Sequence, residues 1–188
     1  MKKLPLGLQS FVQLREDNCV YVDKTEHIYR LLDGYCYFFS RPRRFGKSIL
    51  CSTLDELFRG NKDLFVDLWI VKNTDYSWPV HPVIHIDFNG IAIDSPDALY
   101  ESLMRYLNKV ADAEGIEPLE MIHPGEMLYS LTLKLKKKYN NKRVVLIIDE
   151  YDRAIIDNLS KPELVFKMQE ALRRFYAVSY THLYTRLD

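Results

Sequence analysis

Two short stretches carry residue types that together could do phosphate chemistry. Gly46-Lys47-Ser48 supplies a residue that lets backbone approach an anion, an ammonium to neutralise β- and γ-phosphate charge, and a hydroxyl to hold a Mg²⁺ ion. Asp149-Glu150 supplies one carboxylate for the metal shell, acting directly or through water, and a second to orient an attacking water. Chemistry of this kind is mainly positioning and electrostatic stabilisation, so the residues need rigid elements behind them. Lys47 and Glu150 are the expected catalytic residues. Arg43, Arg44, Phe45, Gly46, Lys47, Ser48 and Ile49 are the expected nucleotide contacts, and Ser48 and Asp149 the expected metal ligands. The two arginines read equally well as exposed loop charges.

The elements that must position these groups are legible as patterns. Tyr35 to Phe39, YCYFF, reads as a buried strand. The polar loop SRPRRFGKS follows, and a helix is predicted from about Lys47 to Phe58, with Ile49, Leu50, Leu54, Leu57 and Phe58 as its apolar stripe and Gly60-Asn61 as its stop. Strand, loop and helix form the context a phosphate loop requires, because free N–H groups and the helix dipole then face one anion. The full pattern asks for glycine where Arg41 stands. The second strand is predicted in Val144 to Tyr151, VVLIIDEY, a run of the parallel, buried type ending in the two acids.

Taken together, these residues resemble the predicted AAA-ATPase family, often written AAA-ATPase-like. The resemblance begins at Leu4-Pro5-Leu6-Gly7-Leu8 and Phe11. It continues through Tyr21-Val22-Asp23-Lys24-Thr25, the Arg-rich loop lacking the first glycine, Pro82 to Phe88, and Leu146 to Asp152. It implies an α/β fold of the P-loop NTPase type, a three-layer α/β/α arrangement with a mainly parallel sheet. It also implies an ATP-binding, ATP-hydrolysing domain that uses Mg²⁺ and an adenine nucleotide, in which Arg41 is the family's habit. Full-length relatives are similar in carrying a later PD-(D/E)XK nuclease-like domain. The alternative is a non-hydrolysing regulatory or scaffold module for such a partner domain. In the family a further strand, lying between the two motif-bearing ones, follows the helix that ends near Phe175-Tyr176. Here the chain reads VSYTHLYTRLD. Residues 1–177 are therefore expected to be an incomplete P-loop domain, truncated after the Walker B strand and the following helix, and 178–188 a non-native tail. On that reading the intact parent is a Mg-dependent ATPase and this chain is inactive and prone to aggregate, its middle strands lacking a neighbour.

The remaining segments supply scaffolding. Val20-Tyr21-Val22 reads as a short strand, and Asp23 as a cap with Glu26 as its capping-box partner, opening a helix that Gly34 ends. Residues 61–82 read as irregular, with Phe65, Trp69, Tyr76 and Trp78 as core cover rather than a stacking platform. Val83 to Phe88 reads as a strand with His85 and Asp87 on one face, a polar face in preference to a metal site, because a third ligand is missing. Ser95-Pro96 opens one helix, Pro124 to Tyr139 forms another, and Ser160 to Glu163 is a capping box for a third.

Composition sets the outer bounds. The 188 residues include 26 basic and 26 acidic side chains, so the net charge is zero and gives no case for nucleic acid. Direct binding through Arg41, Arg43, Arg44 and the Lys134–Arg143 cluster is thus the least favoured function. That cluster reads as solvated charge complementing a helix C-terminus. Cys19, Cys36 and Cys51 are odd in number and lack Cys-x-x-Cys spacing, as expected of reduced thiols in a cytoplasmic protein. No stretch has the ~20 apolar residues of a membrane span, and no signal peptide opens the chain.

Overall fold

The computed structural model describes residues 2–34, 36–40, 42, 45–120 and 123–183, the side chains of 178–183 excepted. The chain divides into two compact units, Met1–Val83 and Ile84–Asp188. The architecture is mixed helix and strand with one small parallel sheet.

The first unit is built from short helices. Helix α1 (Phe11–Glu16) is capped by the Ser10 hydroxyl, which accepts from the Gln13 amide. Helix α2 (Thr25–Leu31) follows, then α3 (Lys47–Phe58), a 3-10 turn at Lys62–Phe65, and α4 (Trp69–Asn73). The stretch 61–82 is thus more regular than its sequence suggests. Phe65 and Ile70 are fully buried beside Phe11, Ile28 and Leu57, with Trp69, Tyr76 and Trp78 packed against them. The aromatic side chains there are core, as expected.

Polar ties hold these helices together. Asp23 is not the N-cap of α2: Lys24 occupies that position without a side-chain bond, and Glu26 pairs with Arg30 at 2.5 Å. Instead, Asp23 accepts from the Thr25 amide (2.8 Å) and hydroxyl (2.7 Å) with one oxygen, and from the Trp69 amide (2.6 Å) with the other. The buried Thr25 hydroxyl oxygen accepts from the Ile70 amide at 3.1 Å. Two amides of the first turn of α4, which have no acceptor inside their own helix, are satisfied this way. Val20 to Val22 does not form a strand. It lies beside one isolated parallel bridge between Lys3 and Cys19, closed by the Val20 amide donating to the Lys3 carbonyl at 2.8 Å.

The second unit contains the sheet. Strand β1 (Val83–Asp87) pairs with β2 (Val145–Asp149), and the crossover between them consists of α5 (Pro96–Ala113) and α6 (Pro124–Lys138). A helical crossover is what parallel neighbours require. Helix α5 starts as predicted, with Ser95 accepting from the Ala98 amide and Pro96 in the first turn, where its missing N–H costs nothing. Its stripe of Leu99, Leu103 and Leu107 is fully buried, as are Leu131 and Leu135 of α6. Behind Asn140-Asn141, both in the left-handed region, β2 begins. Helix α7 (Arg153–Ile156) and the long α8 (Pro162–Leu183) complete the unit, with α5, α6 and α8 packed on one another around Ile84, Ile86 and Phe88. Among the described residues no helix is long and apolar enough to cross a membrane.

Candidate functional site

One group of candidate residues stands at the start of α3. Gly46 stands at the N-cap with φ +74°, a left-handed conformation that L side chains adopt only with strain. A Cβ there would also meet Ile49 Cγ2 at 3.2 Å. Lys47 and Ser48 are the next two residues and are half-buried, and Phe45 before them is exposed. The first-turn amides of such a helix have no intrahelical acceptor, and its dipole presents partial positive charge at the same place. The helix is anchored from its far side. The Phe11 amide donates to the Ser52 hydroxyl at 2.8 Å, and the fully buried Thr53 donates its hydroxyl to the Ile49 carbonyl at 2.7 Å. The Tyr21 hydroxyl lies 3.4 Å from Thr53 Oγ1, and burial pushes the Tyr21 phenol above its usual pKa.

The strand predicted to feed this loop is not formed in the residues described. Cys36, Tyr37 and Phe38 are exposed and irregular, with Phe39 half-buried. The physical reason is pairing: a strand needs a neighbour for its backbone groups, and among the described residues the two strands pair with each other. Tyr35, Arg41, Arg43 and Arg44 lie outside the described residues.

A second group stands at the end of β2. Asp149 closes the strand and is only 5% exposed, and its Oδ1 accepts from the Glu150 amide at 2.9 Å. Glu150 is half-buried with φ +53°, an uncommon conformation for a non-glycine residue that costs about 1 kcal/mol or more and clusters at functional sites. The strained turn is fastened from behind. The Arg153 amide donates to the Glu150 carbonyl at 3.0 Å. The Arg153 guanidinium donates through Nη1 to the carbonyls of Phe88 (2.9 Å) and Asn89 (2.8 Å), and through Nε to Asp157 (3.0 Å). The Asn158 amide group, almost fully buried, donates to the carbonyls of Ile93 and Ala154, both at 3.0 Å. The turn after β1 and the segment after β2 are thereby stitched into one rim at the strand ends. Tyr151, on the same turn, has its phenol pKa raised by burial and by the Asp152 charge.

Gly46, Lys47, Ser48 and Ile49 therefore belong to the first unit, and Asp149 and Glu150 to the second. Sequence reasoning missed Arg153 and Asn158, whose partners lie about 65 residues away. The available signal was an arginine three residues after the second acid, at a helix start. Elsewhere, Asp87 accepts from the Asn89 amide at 2.8 Å and the His85 carbonyl accepts from the Tyr106 hydroxyl. Among the described residues no group of three or more His, Cys, Asp or Glu could hold a metal. In the Lys134–Arg143 cluster, Lys138 pairs with Glu114 at 3.0 Å and lies over the Tyr139 ring.

The chain is 38% identical over 179 residues to an uncharacterised protein in the vnfD 5′ region of Azotobacter chroococcum mcd 1; the matched part is 94% of this chain and 34% of that protein. The chain thus spans about a third of that relative's length. No solved structure matches it. A family model described as predicted AAA-ATPase matches residues 5–186, and the chain belongs to that family.

Proposed function

We propose that the chain is an ATP-binding P-loop domain whose parent hydrolyses ATP with Mg²⁺. The observation that carries the reading is the cap of α3: a left-handed glycine directly before Lys47 and Ser48, at the head of a twelve-residue helix. That arrangement offers backbone donors, a dipole and an ammonium to one anion. Family membership supports the adenine nucleotide. Lys47 would neutralise phosphate charge, with Phe45, Gly46 and Ile49 lining the nucleotide and Arg43 and Arg44 as further contacts. Ser48 and Asp149 would hold the Mg²⁺ ion that offsets charge on the β- and γ-phosphates. Asp149 suits this role chemically, being a carboxylate kept near-buried at a strand end, where parallel α/β sheets bind ligands. Glu150 would orient the attacking water. The two strands then belong to a larger, mainly parallel sheet of the three-layer P-loop type.

Calorimetric titration with Mg-ATP tests this reading. Micromolar binding by the wild-type chain, weakened at least about tenfold in Lys47→Ala through loss of a charge-assisted contact, supports it. No binding, or equal binding by both proteins, overturns it.

A further inference from the structure

Resting on that reading, we propose that Arg153 is a positioning residue for the Asp149-Glu150 pair. Its guanidinium would tie the turn after β1 to the turn after β2, so that the metal-facing carboxylate is held in one orientation. Three observations within the second unit converge on it. Glu150 sits in a strained left-handed conformation that surrounding structure must enforce. The residue that accomplishes this through its own backbone is Arg153, whose amide donates to the Glu150 carbonyl. The same residue's side chain donates three further hydrogen bonds, two to the Phe88 and Asn89 carbonyls and one to Asp157. A guanidinium's planar fork can serve two carbonyls and a carboxylate at once, whereas a lysine ammonium is a compact point charge without that fork. The Arg153 side-chain bonds run to Phe88, Asn89 and Asp157, so its effect is on where the acids point.

Removing Arg153 frees the first turn of α7 from the β1 side of the rim. The Glu150 backbone can then relax toward negative φ, which swings the Asp149-Glu150 peptide, including the amide that Asp149 Oδ1 accepts from. The metal site loses geometry while the phosphate loop of α3 is untouched. The predicted signature is a split between metal-free and metal-dependent affinity, which loss of fold would not produce.

The experiment measures ATP affinity in EDTA and in Mg²⁺ for wild type, Arg153→Ala, Arg153→Lys and Asn158→Ala, with thermal unfolding of each. The expected result is that Arg153→Ala keeps its EDTA affinity within twofold but loses about 10–100-fold of the gain Mg²⁺ confers, the range for residues behind a metal ligand. Arg153→Lys should restore part of the gain. Asn158→Ala, which unties the far end of the same rim, should lower the melting temperature and leave the gain intact. An Arg153→Ala protein that retains the full gain overturns the proposal, as does equal loss in Asn158→Ala, which would assign the effect to general stiffness. If Arg153→Ala fails to fold, Arg153→Lys alone decides, and an undiminished gain overturns the proposal. Wild type that binds ATP without any gain from Mg²⁺ removes the metal role of Asp149 and this proposal with it. Wild type that binds no ATP in either medium overturns the nucleotide reading itself, a distinct outcome.

Discussion

Two apolar runs in this chain look alike and fold differently. Val145 to Asp149 becomes β2, with Ile147 buried and Asp149 brought to a defined strand end. Cys36 to Phe39, of similar length and even more aromatic, is irregular, and Phe38 is 70% exposed. Both precede residues expected to handle phosphate or metal. What β2 has is a ladder. β2 has β1 beside it and a helical crossover that returns the chain in parallel, so its backbone groups are paired and its side chains reach the α5–α6–α8 core. An apolar run is a necessary condition for a buried strand, and the neighbouring ladder supplies the rest.

The contrast is sharpest if the ladder itself is weakened. Ile86 is fully buried on β1, among the residues that give β2 its setting. Ile86→Ala should destabilise the second unit by about 2–5 kcal/mol, from lost transfer free energy plus the cavity. Denaturant unfolding followed by far-UV circular dichroism checks this. A change below about 1 kcal/mol would mean that β1 contributes little to the unit, and the pairing argument would fail.

Legibility follows the same division between local and distant causes. The extent of α3 was readable, because Gly46, the stripe of Ile49 to Phe58 and the Gly60-Asn61 stop all act within one helix length. Ser95-Pro96 marked α5 for the same reason, and the acids ending β2 lie where its apolar run stops. What could not be read depends on residues far along the chain. Asp23 looked like a cap for its own helix, yet one of its oxygens serves α4, 46 residues on. Arg153 looked like one more charge, yet its acceptors are carbonyls at 88 and 89. Backbone carbonyls have no sequence signature, so a side chain that spends its hydrogen bonds on them is invisible until the fold is known.

The first unit's reliance on polar ties in place of a ladder makes it sensitive to pH. Arg15 pairs with Asp67, and Lys2 lies 3.8 Å from the same carboxylate. Partial burial alone would raise the Asp67 pKa, but the Arg15 hydrogen bond and charge outweigh it and hold the group below its usual value. A depressed carboxylate pKa contributes stability above the unfolded value near 4, and that contribution is lost as pH falls through the folded value. Since both groups are partly solvated and screened, Asp67→Asn should cost at most about 1 kcal/mol at pH 7. The deficit should shrink as pH falls below the unfolded value and vanish once the folded value is passed, where wild type has lost the same charge. Melting temperatures of the two proteins across this range give the comparison, and a deficit that grows on acidification would contradict it.

The smallest effect is expected where the sequence pattern is loudest. If the run 36–39 were a buried strand, Phe38→Ser would remove a large apolar side chain from a core and cost about 3–5 kcal/mol. With Phe38 mostly in water, the substitution removes little buried area, and the change should stay within about 0.5 kcal/mol. Chemical denaturation of Phe38→Ser alongside Ile86→Ala places the two runs on one scale. A loss from Phe38→Ser approaching that of Ile86→Ala would show that the run is paired and buried in solution. The contrast between the two runs would then collapse. A near-zero loss would leave the start of α3 held through the Phe11–Ser52 hydrogen bond.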